Sequence, residues 1–486
     1  MSDTAVKTAQ TSAPNPLGTE RIGKLMARYA VPSVVALVVN TIYNMVDQIF
    51  IGQGVGYLGN AATNVVMPLM TIIVAFGLLF GDGAAAYMSL MLGRGKPEKA
   101  AQGVGNAMIM IVIVGILFSV FFSIFIEPLC WLFGATDTNI EYCLDYGRVI
   151  AAGSFLSIIA ASFGSIYRAD GRPKITMAGL LIGCATNFIC DPLFIFVFHW
   201  GVRGAALATV LGQCLNAIFF IFCAFRFKLI KMKKSCFILK AGVLKKISSL
   251  GVSSFITQAA VVIVMILMNN LLVFYGEQSK FGPDIPLAVY GIVMKVSMLI
   301  NAVVSGIATG CQPIWGYNYG SEQYDRVKKC IKRALGIGFL VAVIGWAIVQ
   351  IFPEQLINIF GAESELYVEF AVMCFRIYLL CIFMLPFCVM IGIFFQAIGK
   401  PVRAAFCSMS RQIIFIIPAM IIFGIIGGVE GLLWSGAFAD LLAGIVALAI
   451  LGKAWKKIFS PSKEDAVSAS DGADGNSVGK EEVSES

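Results

Sequence analysis

Long apolar stretches recur along the chain from Met26 to Leu451, and short clusters of Gly, Pro or charged residues separate them. Each stretch is about 20 residues or longer, which is the helix length that crosses a hydrocarbon core roughly 30 Å thick. Because lipid offers the backbone no hydrogen-bond partners, helices are the expected spanning element, and the alternating pattern of a membrane barrel is absent. The pattern predicts an all-α integral membrane protein with about twelve transmembrane helices.

The composition agrees with a membrane protein. Hydrophobic residues make up 58% and charged residues 13% of the 486 positions, and the mean hydropathy of +0.85 exceeds that of soluble globular proteins. The 13 cysteines form no C-x-x-C motif and are interpreted as small packing residues. The single histidine, His199, has no second histidine to pair with, so neither a histidine-based metal site nor a catalytic triad is expected.

Basic residues cluster in alternate loops between the apolar stretches. These loops contain, in chain order, GRGKPEK, RADGRPK, RFKLIKMKKSCFILKAGVLKK, DRVKKCIKR and GKPVR. The intervening loops carry no Lys or Arg apart from Arg203 and Lys280. This positive-inside pattern predicts a multi-pass protein of the cell membrane with both termini in the cytoplasm. It also accounts for the formal charge of +8 without a nucleic-acid partner.

The chain contains an internal repeat. The sequence YRADGRPK, at residues 167–174, resembles FQAIGKPV at residues 395–402, with an offset of 228 residues. Further along, GVRG at Gly201 corresponds to GVEG at Gly428, with an offset of 227 residues. Two halves of about six helices each would share one orientation, as a parallel repeat of two pseudo-symmetric lobes. Such lobes predict alternating access to a central cavity, although duplicated membrane proteins also include channels.

We divide the chain into lobes, a linker and two terminal segments. The predicted parts are a cytoplasmic N-terminal segment (1–20), an N-lobe of helices 1–6 (21–225), a basic cytoplasmic linker (226–246), a C-lobe of helices 7–12 (247–458) and a disordered cytoplasmic tail (459–486). The N-terminal segment is polar and lacks the apolar core and cleavage site of a signal peptide. From Ser460 the chain is rich in Ser, Gly, Asp and Glu and has no aromatic residue, which predicts disorder.

Polar residues inside the apolar stretches are functional candidates, because a charge in the bilayer costs at least ~2.5 kcal/mol. With a helical rise of ~1.5 Å per residue, Asp47 lies about 7 Å and Asp191 about 10 Å below the outer face. Asn187 and Thr209 follow at about 16 Å and 12 Å. Two carboxylates, a carboxamide and a hydroxyl at similar depth in the N-lobe predict a site for a hard cation or a proton. Alternatively, each polar group only bonds to a neighbouring helix.

The other intramembrane charges also allow structural interpretations. Asp82 stands between two glycines and is predicted either to bond to the backbone or to carry a proton. Asp440 is predicted to pair with Arg411 or Arg376, and a coupling role is the alternative. The sequence leaves the role of Lys295 open between the membrane interface and an interaction partner.

Two prolines fall inside helices that carry candidate residues. Pro192 follows Asp191 directly, and Pro32 lies in helix 1 before Asp47. A proline removes a backbone donor and bends its helix, which frees carbonyl groups and permits motion. We therefore predict a hinge at Pro32, although proline is also common in membrane helices for other reasons.

Several segments resemble the signature segments of the MATE (multidrug and toxic compound extrusion) family. They are NMVDQIFIG, NFICDP, GVRGAALATVLGQ, GCQPIWGYNYG and AIGKP, and the resemblance extends from about residue 17 to residue 457. It implies a twelve-helix antiporter whose two lobes form a V around a cavity. It also implies an N-lobe cation or proton site, together with positions that line the N-lobe cavity. The implied site residues are Asp47, Asn187, Asp191 and Thr209, and the implied cavity residues are Tyr43 and Gln213.

The sequence departs from the NorM-like branch of this family. NorM-like members carry carboxylates in helices 7 and 10, whereas the helix 7 position here is Gln258, and no acidic residue occurs between Arg376 and Gly399. The pattern is closer to that of DinF-like members, in which coupling is attributed to the N-lobe. Gln258 is therefore considered a cavity residue and not an ion ligand.

The resemblance implies a monomeric secondary antiporter that exports organic cations, drugs or toxic metabolites in exchange for H+ or Na+, without a further cofactor. A flippase for lipid-linked substrates is the main alternative, and many basic residues in the cavity would favour it. An integral membrane enzyme is not expected, because the sequence offers no convincing pair of nucleophile and base. An ATP-driven pump is not expected either, since no G-x-x-x-x-G-K-[ST] motif occurs.

Overall fold

The computed structural model describes residues 16–55, 57–135, 139–224, 227–282, 284–360 and 365–459, and all regular secondary structure in these ranges is helical. The first six long helices are α1 (Ile22–Gly54), α2 (Tyr57–Gly93), α3 (Pro97–Leu132), α4 (Ile140–Ala169), α5 (Pro173–Pro192) and α6 (Gly201–Ala224). The next three are α7 (Ala241–Glu277), α8 (Asp284–Gly320) and α9 (Tyr324–Ile351). Shorter helical segments are Pro16–Thr19, Lys234–Phe237 and Pro353–Phe360. Most of the predicted N-terminal segment (1–20) and of the predicted tail (459–486) lies outside the described residues.

The last three spans are less regular. The span α10 consists of the helices Glu365–Tyr378 and Leu385–Ala397, separated by the 3-10 turn Ile382–Met384. The span α11 begins with Pro401–Met409 and continues through the π-helical segment Ser410–Ile416 into the helix Ile417–Phe459. Gly428, with φ 59° and ψ −139°, bends that helix, so the residues before it complete α11 and the residues after it form α12.

The number of spans follows from this bend. In the part of the chain that the structure describes, eleven helical stretches are long and apolar enough to cross a membrane. The last of them, Pro401–Trp455, contains the bend at Gly428 and accounts for two spans. The prediction of an all-α membrane protein with about twelve spanning helices is confirmed.

One loop motif occurs three times and explains how these helices end. Gly95, Gly171 and Gly399 have φ values of 69°, 80° and 79°, which glycine adopts without a steric penalty at the residue after a helix. In each loop a basic residue follows, and its N–H donates to a carbonyl five residues earlier, at 2.9 to 3.0 Å. The prolines at 97, 173 and 401 then begin the next helix, where a missing N–H costs nothing. The same local chemistry therefore recurs in both lobes.

The two lobes contact each other through glycines. A Cβ atom on Gly251 of α7 would overlap the carbonyl oxygen of Leu79 in α2. A Cβ atom on Gly306 of α8 would lie 2.6 Å from the Cα of Val34 in α1. Both contacts lie in the half of the helices that ends at the Lys- and Arg-rich loops, and we call this half the basic side. The helix backbones of the two lobes are in direct contact there.

The opposite half of the molecule has a different surface. Beyond the Val34 contact, α1 and α8 carry the exposed carboxamides of Asn44 and Asn301. Exposed polar side chains within a span are expected to face water and not lipid. The arrangement favours a cleft between the lobes that is closed on the basic side and open on the opposite side.

Candidate functional site

The predicted N-lobe residues come together where α1, α5 and α6 meet. Tyr43 and Asp47 lie one turn apart on α1. Asn187 and Asp191 lie one turn apart on α5, and Asn187 faces Thr209 of α6. Tyr43 is half-buried, and the other members of this cluster are buried. Helical spacing of four residues thus turns two side chains of each helix towards the same point.

The Asn187 side chain lies at the centre of a hydrogen-bond network. Its orientation follows from its partners, because these distinguish the amide oxygen from the amide nitrogen. Its Nδ2 donates to Oδ2 of Asp191, and its Oδ1 accepts from the backbone N–H and the hydroxyl of Thr209, each at 3.0 Å. The Tyr43 hydroxyl lies 2.9 Å from the same oxygen. One carboxamide therefore links three helices.

The carboxyl groups of Asp47 and Asp191 lie next to each other and interact directly. Two ionised carboxylates at such close range repel each other, which favours a proton on at least one of them. The Oδ1 atom of Asp47 is buried and has no hydrogen-bond partner among the described residues. No described Lys or Arg forms an ion pair with either group. The pair can therefore gain or lose a proton without breaking a salt bridge.

Tyr146 of α4 also lies at the site, although it is not among the residues predicted from the sequence. Its side chain is buried, and its hydroxyl group faces the side chain of Thr209. The hydroxyl also lies 3.9 Å from the sulfur of Met70. Tyr146 follows the start of α4 by about 9 Å of helix, which is close to the depth of the two aspartates. This depth is the feature of the sequence that could have identified Tyr146 as a site residue.

The backbone around the site departs from regular helix. At Pro192 the α-helical part of α5 ends, and a π-helical turn, Leu193–Val197, follows. Proline lacks the N–H that a regular helix would use, and single π-helical turns are common at functional sites. In addition, a Cβ atom on Gly212 of α6 would lie 2.6 Å from the carbonyl oxygen of Gly183 in α5. The two glycines let α5 and α6 approach closely, which brings Thr209 to Asn187.

The remaining cavity and hinge candidates lie outside this cluster. Gln213 lies one turn beyond Thr209, and its Oε1 accepts a hydrogen bond from Ser157 of α4. Gln258 is half-buried on α7, in the other lobe. Pro32 is buried in α1, which continues through it as one helix, close to the Val34 contact with the C-lobe.

Asp82 has partners that the sequence did not predict. Its Oδ1 accepts from Ser165 of α4 at 2.5 Å, and Arg168 lies 3.9 Å from the same oxygen. Its Oδ2 accepts from Ser254 of α7 at 2.7 Å. The expected bond to the backbone between two glycines is thus replaced by side-chain bonds to both lobes. Asp82 belongs to the contact between the lobes and not to the N-lobe cluster.

The charged residues of the C-lobe form a separate group. Asp440 of α12 accepts from Nε of Arg411 at 2.5 Å, so its partner is the first of the two candidates and not Arg376. Lys295 is half-buried on α8. Within the described ranges, no group of three or more His, Cys, Asp or Glu is arranged to hold a metal ion.

Comparison with known proteins agrees with this architecture. The protein is 23% identical over 442 residues to the multidrug export protein MepA of Staphylococcus haemolyticus, and the match covers 88% of this chain and 93% of that protein. It is 25% identical over 437 residues to MepA of Staphylococcus saprophyticus, with the same coverage. Both matches run through nearly the whole of the relatives.

Solved structures have the same fold. An outward-facing multidrug resistance MATE family transporter of the MOP superfamily superposes with a TM-score of 0.85 at 23% identity, over 93% of this chain and 99% of that chain. A MOP superfamily transporter from Pyrococcus furiosus gives a TM-score of 0.85 at 22% identity, with the same coverage.

The family model covers both lobes. The MatE model matches residues 32–193 and 254–422, once in each half of the chain. The first match includes Asp47, Asn187 and Asp191, and the second includes Gln258. The predicted pair of repeated lobes and the resemblance drawn from the signature segments are confirmed. Since the matched residues make up more than half of the chain, this protein belongs to the MatE family of membrane transporters.

Proposed function

We propose that this transporter is a proton-coupled antiporter of the cell membrane that exports cationic or amphipathic small molecules. The observation that carries the proposal is the adjacent pair of Asp47 and Asp191, which forms no ion pair with a described Lys or Arg. The names of the MepA relatives, which are multidrug export proteins, support the class of cargo. We also propose that the protein acts as a monomer, needs no cofactor other than its coupling ion, and has both termini in the cytoplasm.

The geometry favours H+ over Na+ as the coupling ion. A sodium ion would need several oxygen ligands directed at one point, whereas here the two carboxyl groups lie against each other. The Asn187 amide donates to Asp191, and this Nδ2 group cannot coordinate a cation. A proton shared between the carboxyl groups satisfies both of them, so the proposed site is Asp47 and Asp191, with Asn187, Thr209, Tyr43 and Tyr146 as the residues that position the pair.

The proposed mechanism uses a difference in proton affinity between two states. With the cleft open opposite the basic side, protons enter and neutralise Asp47 and Asp191, which reduces the cost of burying the pair. Cargo leaves on the same side. When the lobes 21–225 and 247–458 rock to open the basic side, the protons leave into the cytoplasm and new cargo enters. A ligand drives such a change only through its different affinities for the two states.

The buried charges favour cationic cargo. Among the described residues, the buried charged residues are the aspartates Asp47, Asp82, Asp170, Asp191 and Asp440. Of these, only Asp47 and Asp191 form no ion pair with an arginine. A flippase for lipid-linked phosphates would be expected to carry Lys or Arg in its cavity. We therefore propose organic cations and amphipathic drugs as substrates, with Tyr43 and Gln258 as candidate contacts in the two lobes. The same distribution of acids supports the DinF-like branch.

The proposal is tested by efflux of ethidium from vesicles that contain the purified protein. An imposed pH gradient and an imposed Na+ gradient are applied separately, and we expect only the pH gradient to drive efflux. Asp47→Asn and Asp191→Asn are expected to reduce this efflux to the level of empty vesicles, because the amide cannot exchange the proton. Asp145→Asn is the matched control, since Asp145 forms an exposed pair with Arg203 at 2.6 Å on the same side of the membrane.

Two results would contradict the proposal. Full pH-driven efflux by both site variants would show that the carboxyl pair does not couple transport. Efflux driven by the Na+ gradient alone would show that Na+, and not H+, is the coupling ion. Proton release on addition of ethidium to the detergent-solubilised parent, measured with a pH indicator dye, is expected in addition, because a cationic cargo lowers the proton affinity of the pair.

A further inference from the structure

The linker segment, residues 228–240, is fixed to the N-lobe near its C-terminal end. The side chain of Asn106 in α3 is fully buried. Its Nδ2 donates to the carbonyl oxygens of Cys236, at 3.2 Å, and Ile238, at 2.9 Å, and its Oδ1 accepts from the N–H of Lys240 at 2.7 Å. The neighbouring Gly105 permits this approach, because a Cβ atom there would overlap the Cys236 carbonyl.

The other end of the linker segment is fixed as well. Asp170, which follows α4, is fully buried, and its carboxylate accepts from the backbone N–H groups of Lys228 and Leu229 at 2.9 Å each. The Nε atom of Arg172 lies 2.7 Å from Oδ2 of the same carboxylate and forms an ion pair with it. The predicted linker of residues 226–246 also ends earlier than expected, because α7 begins at Ala241. The linker segment is thus part of the N-lobe surface.

Three consecutive apolar side chains of the linker segment are exposed. The exposed fractions are 43% for Phe237, 62% for Ile238 and 47% for Leu239. Their depth follows from Asn106, which lies about 13 Å along α3 from Pro97. The long apolar run of α3 begins at Ala107, immediately after this anchor. The three side chains therefore lie where the hydrocarbon core begins on the basic side.

Lysines surround these apolar side chains. The exposed lysines of the linker segment and of the first turns of α7 are Lys228, Lys231, Lys233, Lys234, Lys240, Lys245 and Lys246. Lys233 forms an exposed ion pair with Glu98 at 3.2 Å. Exposed lysines next to a membrane surface attract anionic headgroups, and their aliphatic stems pack on apolar surface.

We propose that the linker segment is a binding site for anionic phospholipids of the leaflet on the basic side. The phosphate groups bind the lysines, and Phe237, Ile238 and Leu239 insert between the first methylene groups of the acyl chains. Rigid attachment through Asn106 and Asp170 holds both features at the required depth before a lipid arrives. Because the linker segment is rigidly attached to the N-lobe, bound lipid anchors the N-lobe itself to this leaflet.

The acidic C-terminal sequence of this chain is the competing occupant. Residues 460–486 contain seven acidic and two basic residues, which would complement the lysines. However, they contain no Leu, Ile, Met or aromatic residue that would cover the three exposed apolar side chains. Charge and apolar surface together therefore favour lipid.

The test measures lipid binding by native mass spectrometry of the full-length protein. Phosphatidylglycerol and phosphatidylcholine of identical acyl chains are titrated separately. The parent is expected to bind phosphatidylglycerol more tightly than phosphatidylcholine. The variant Lys231→Gln/Lys234→Gln/Lys240→Gln is expected to lose at least about tenfold in phosphatidylglycerol affinity and little in phosphatidylcholine affinity. The matched control, Lys329→Gln/Lys332→Gln/Lys453→Gln, removes the same charge from exposed positions of the C-lobe and is expected to bind like the parent.

Further arms separate the competing explanations. Phe237→Ser/Ile238→Ser/Leu239→Ser is expected to weaken binding of both lipids, and a thermal unfolding curve like that of the parent shows that it folds. Deletion of residues 460–486 is expected to leave lipid binding unchanged or to increase it slightly. Equal phosphatidylglycerol affinity in the parent and the lysine variant would overturn the proposal. A second result would also overturn it: the lysines are protected from acetylation in detergent, and this protection disappears when residues 460–486 are deleted. In that case the C-terminal sequence, and not lipid, would occupy the site.

Discussion

Asp82 of α2 accepts a hydrogen bond from the hydroxyl group of Ser254 in α7, with 2.7 Å between the oxygens. This bond joins the two lobes about 16 Å along α2 from its basic end. Gln396 of α10 extends the connection, because its Nε2 donates to Ser254 at 3.1 Å and to the carbonyl of Leu250 at 2.9 Å. If the lobes rock, this interlobe bond must break in every cycle.

Ser254→Ala is expected to favour the state that is open on the basic side. The variant leaves one Asp82 oxygen without its hydroxyl donor, and hydrogen bonds to charged groups contribute about 1.5–3 kcal/mol. A loss of this size changes the ratio of the two states by about tenfold or more. Spin labels on Lys99→Cys and Lys329→Cys, which lie on different lobes, would report a longer distance by double electron–electron resonance in a background without reactive native cysteines.

Ser165→Ala is the matched control for this experiment. It removes the other hydroxyl donor to Asp82, at 2.5 Å, but both residues of that bond belong to the N-lobe. The interlobe distance should then remain that of the parent. Equal distance distributions for Ser254→Ala and the parent would show that the bond does not hold the lobes together.

The sequence was sufficient to predict the spans and the repeat, whereas the coupling role of Asp47 and Asp191 stays a prediction. Apolar runs and basic loops depend on the bilayer and are local in sequence, so α1 to α9 could be anticipated. The depth of Asp47 and Asp191 followed from helical rise alone. Their direct contact could not be predicted, because it depends on how closely α1 and α5 pack.

Contacts between helices that are distant in sequence could not be predicted either. Asp82 was expected either to bond to the backbone or to carry a proton, yet its carboxylate accepts from Ser165 and Ser254, which lie 83 and 172 residues away. Tyr146 was missed because aromatic residues are common in spans and its hydroxyl contact is with another helix. Such contacts depend on helix packing, which periodicity does not specify.

Gly251→Ala is expected to abolish transport while the protein still folds. A methyl group at this position would overlap the carbonyl of Leu79, so the lobes could not close on the basic side. The measurement is pH-driven ethidium efflux together with size-exclusion chromatography of the purified variant. Gly242→Ala, where a Cβ atom would meet nothing within 4 Å, is the control and should retain activity. Normal efflux by Gly251→Ala would mean that this contact is not needed.

Asp440→Asn is expected to lower the stability of the C-lobe by about 3–5 kcal/mol, since it leaves Arg411 without its buried partner. The double variant Arg411→Met/Asp440→Leu removes both charges and should regain most of this loss. Thermal unfolding in detergent provides the measurement. Asp145→Asn breaks the exposed pair with Arg203 and should change the stability by less than about 1 kcal/mol. If Asp440→Asn is as stable as the parent, the ion pair of Arg411 and Asp440 has no structural role.

Tyr146→Phe is expected to slow pH-driven efflux about two- to tenfold, because it removes the hydroxyl group that faces Thr209 and keeps the aromatic packing. Thr209 in turn donates to Asn187, which bonds to Asp191, so the loss reaches the carboxyl pair through two intermediates. The decisive measurement is the dependence of efflux on the pH of the side opposite the basic loops, whose midpoint should shift in the variant. Tyr142→Phe, one turn away on the same helix, should leave both rate and midpoint unchanged. If both variants slow efflux equally without moving the midpoint, Tyr146 contributes packing alone.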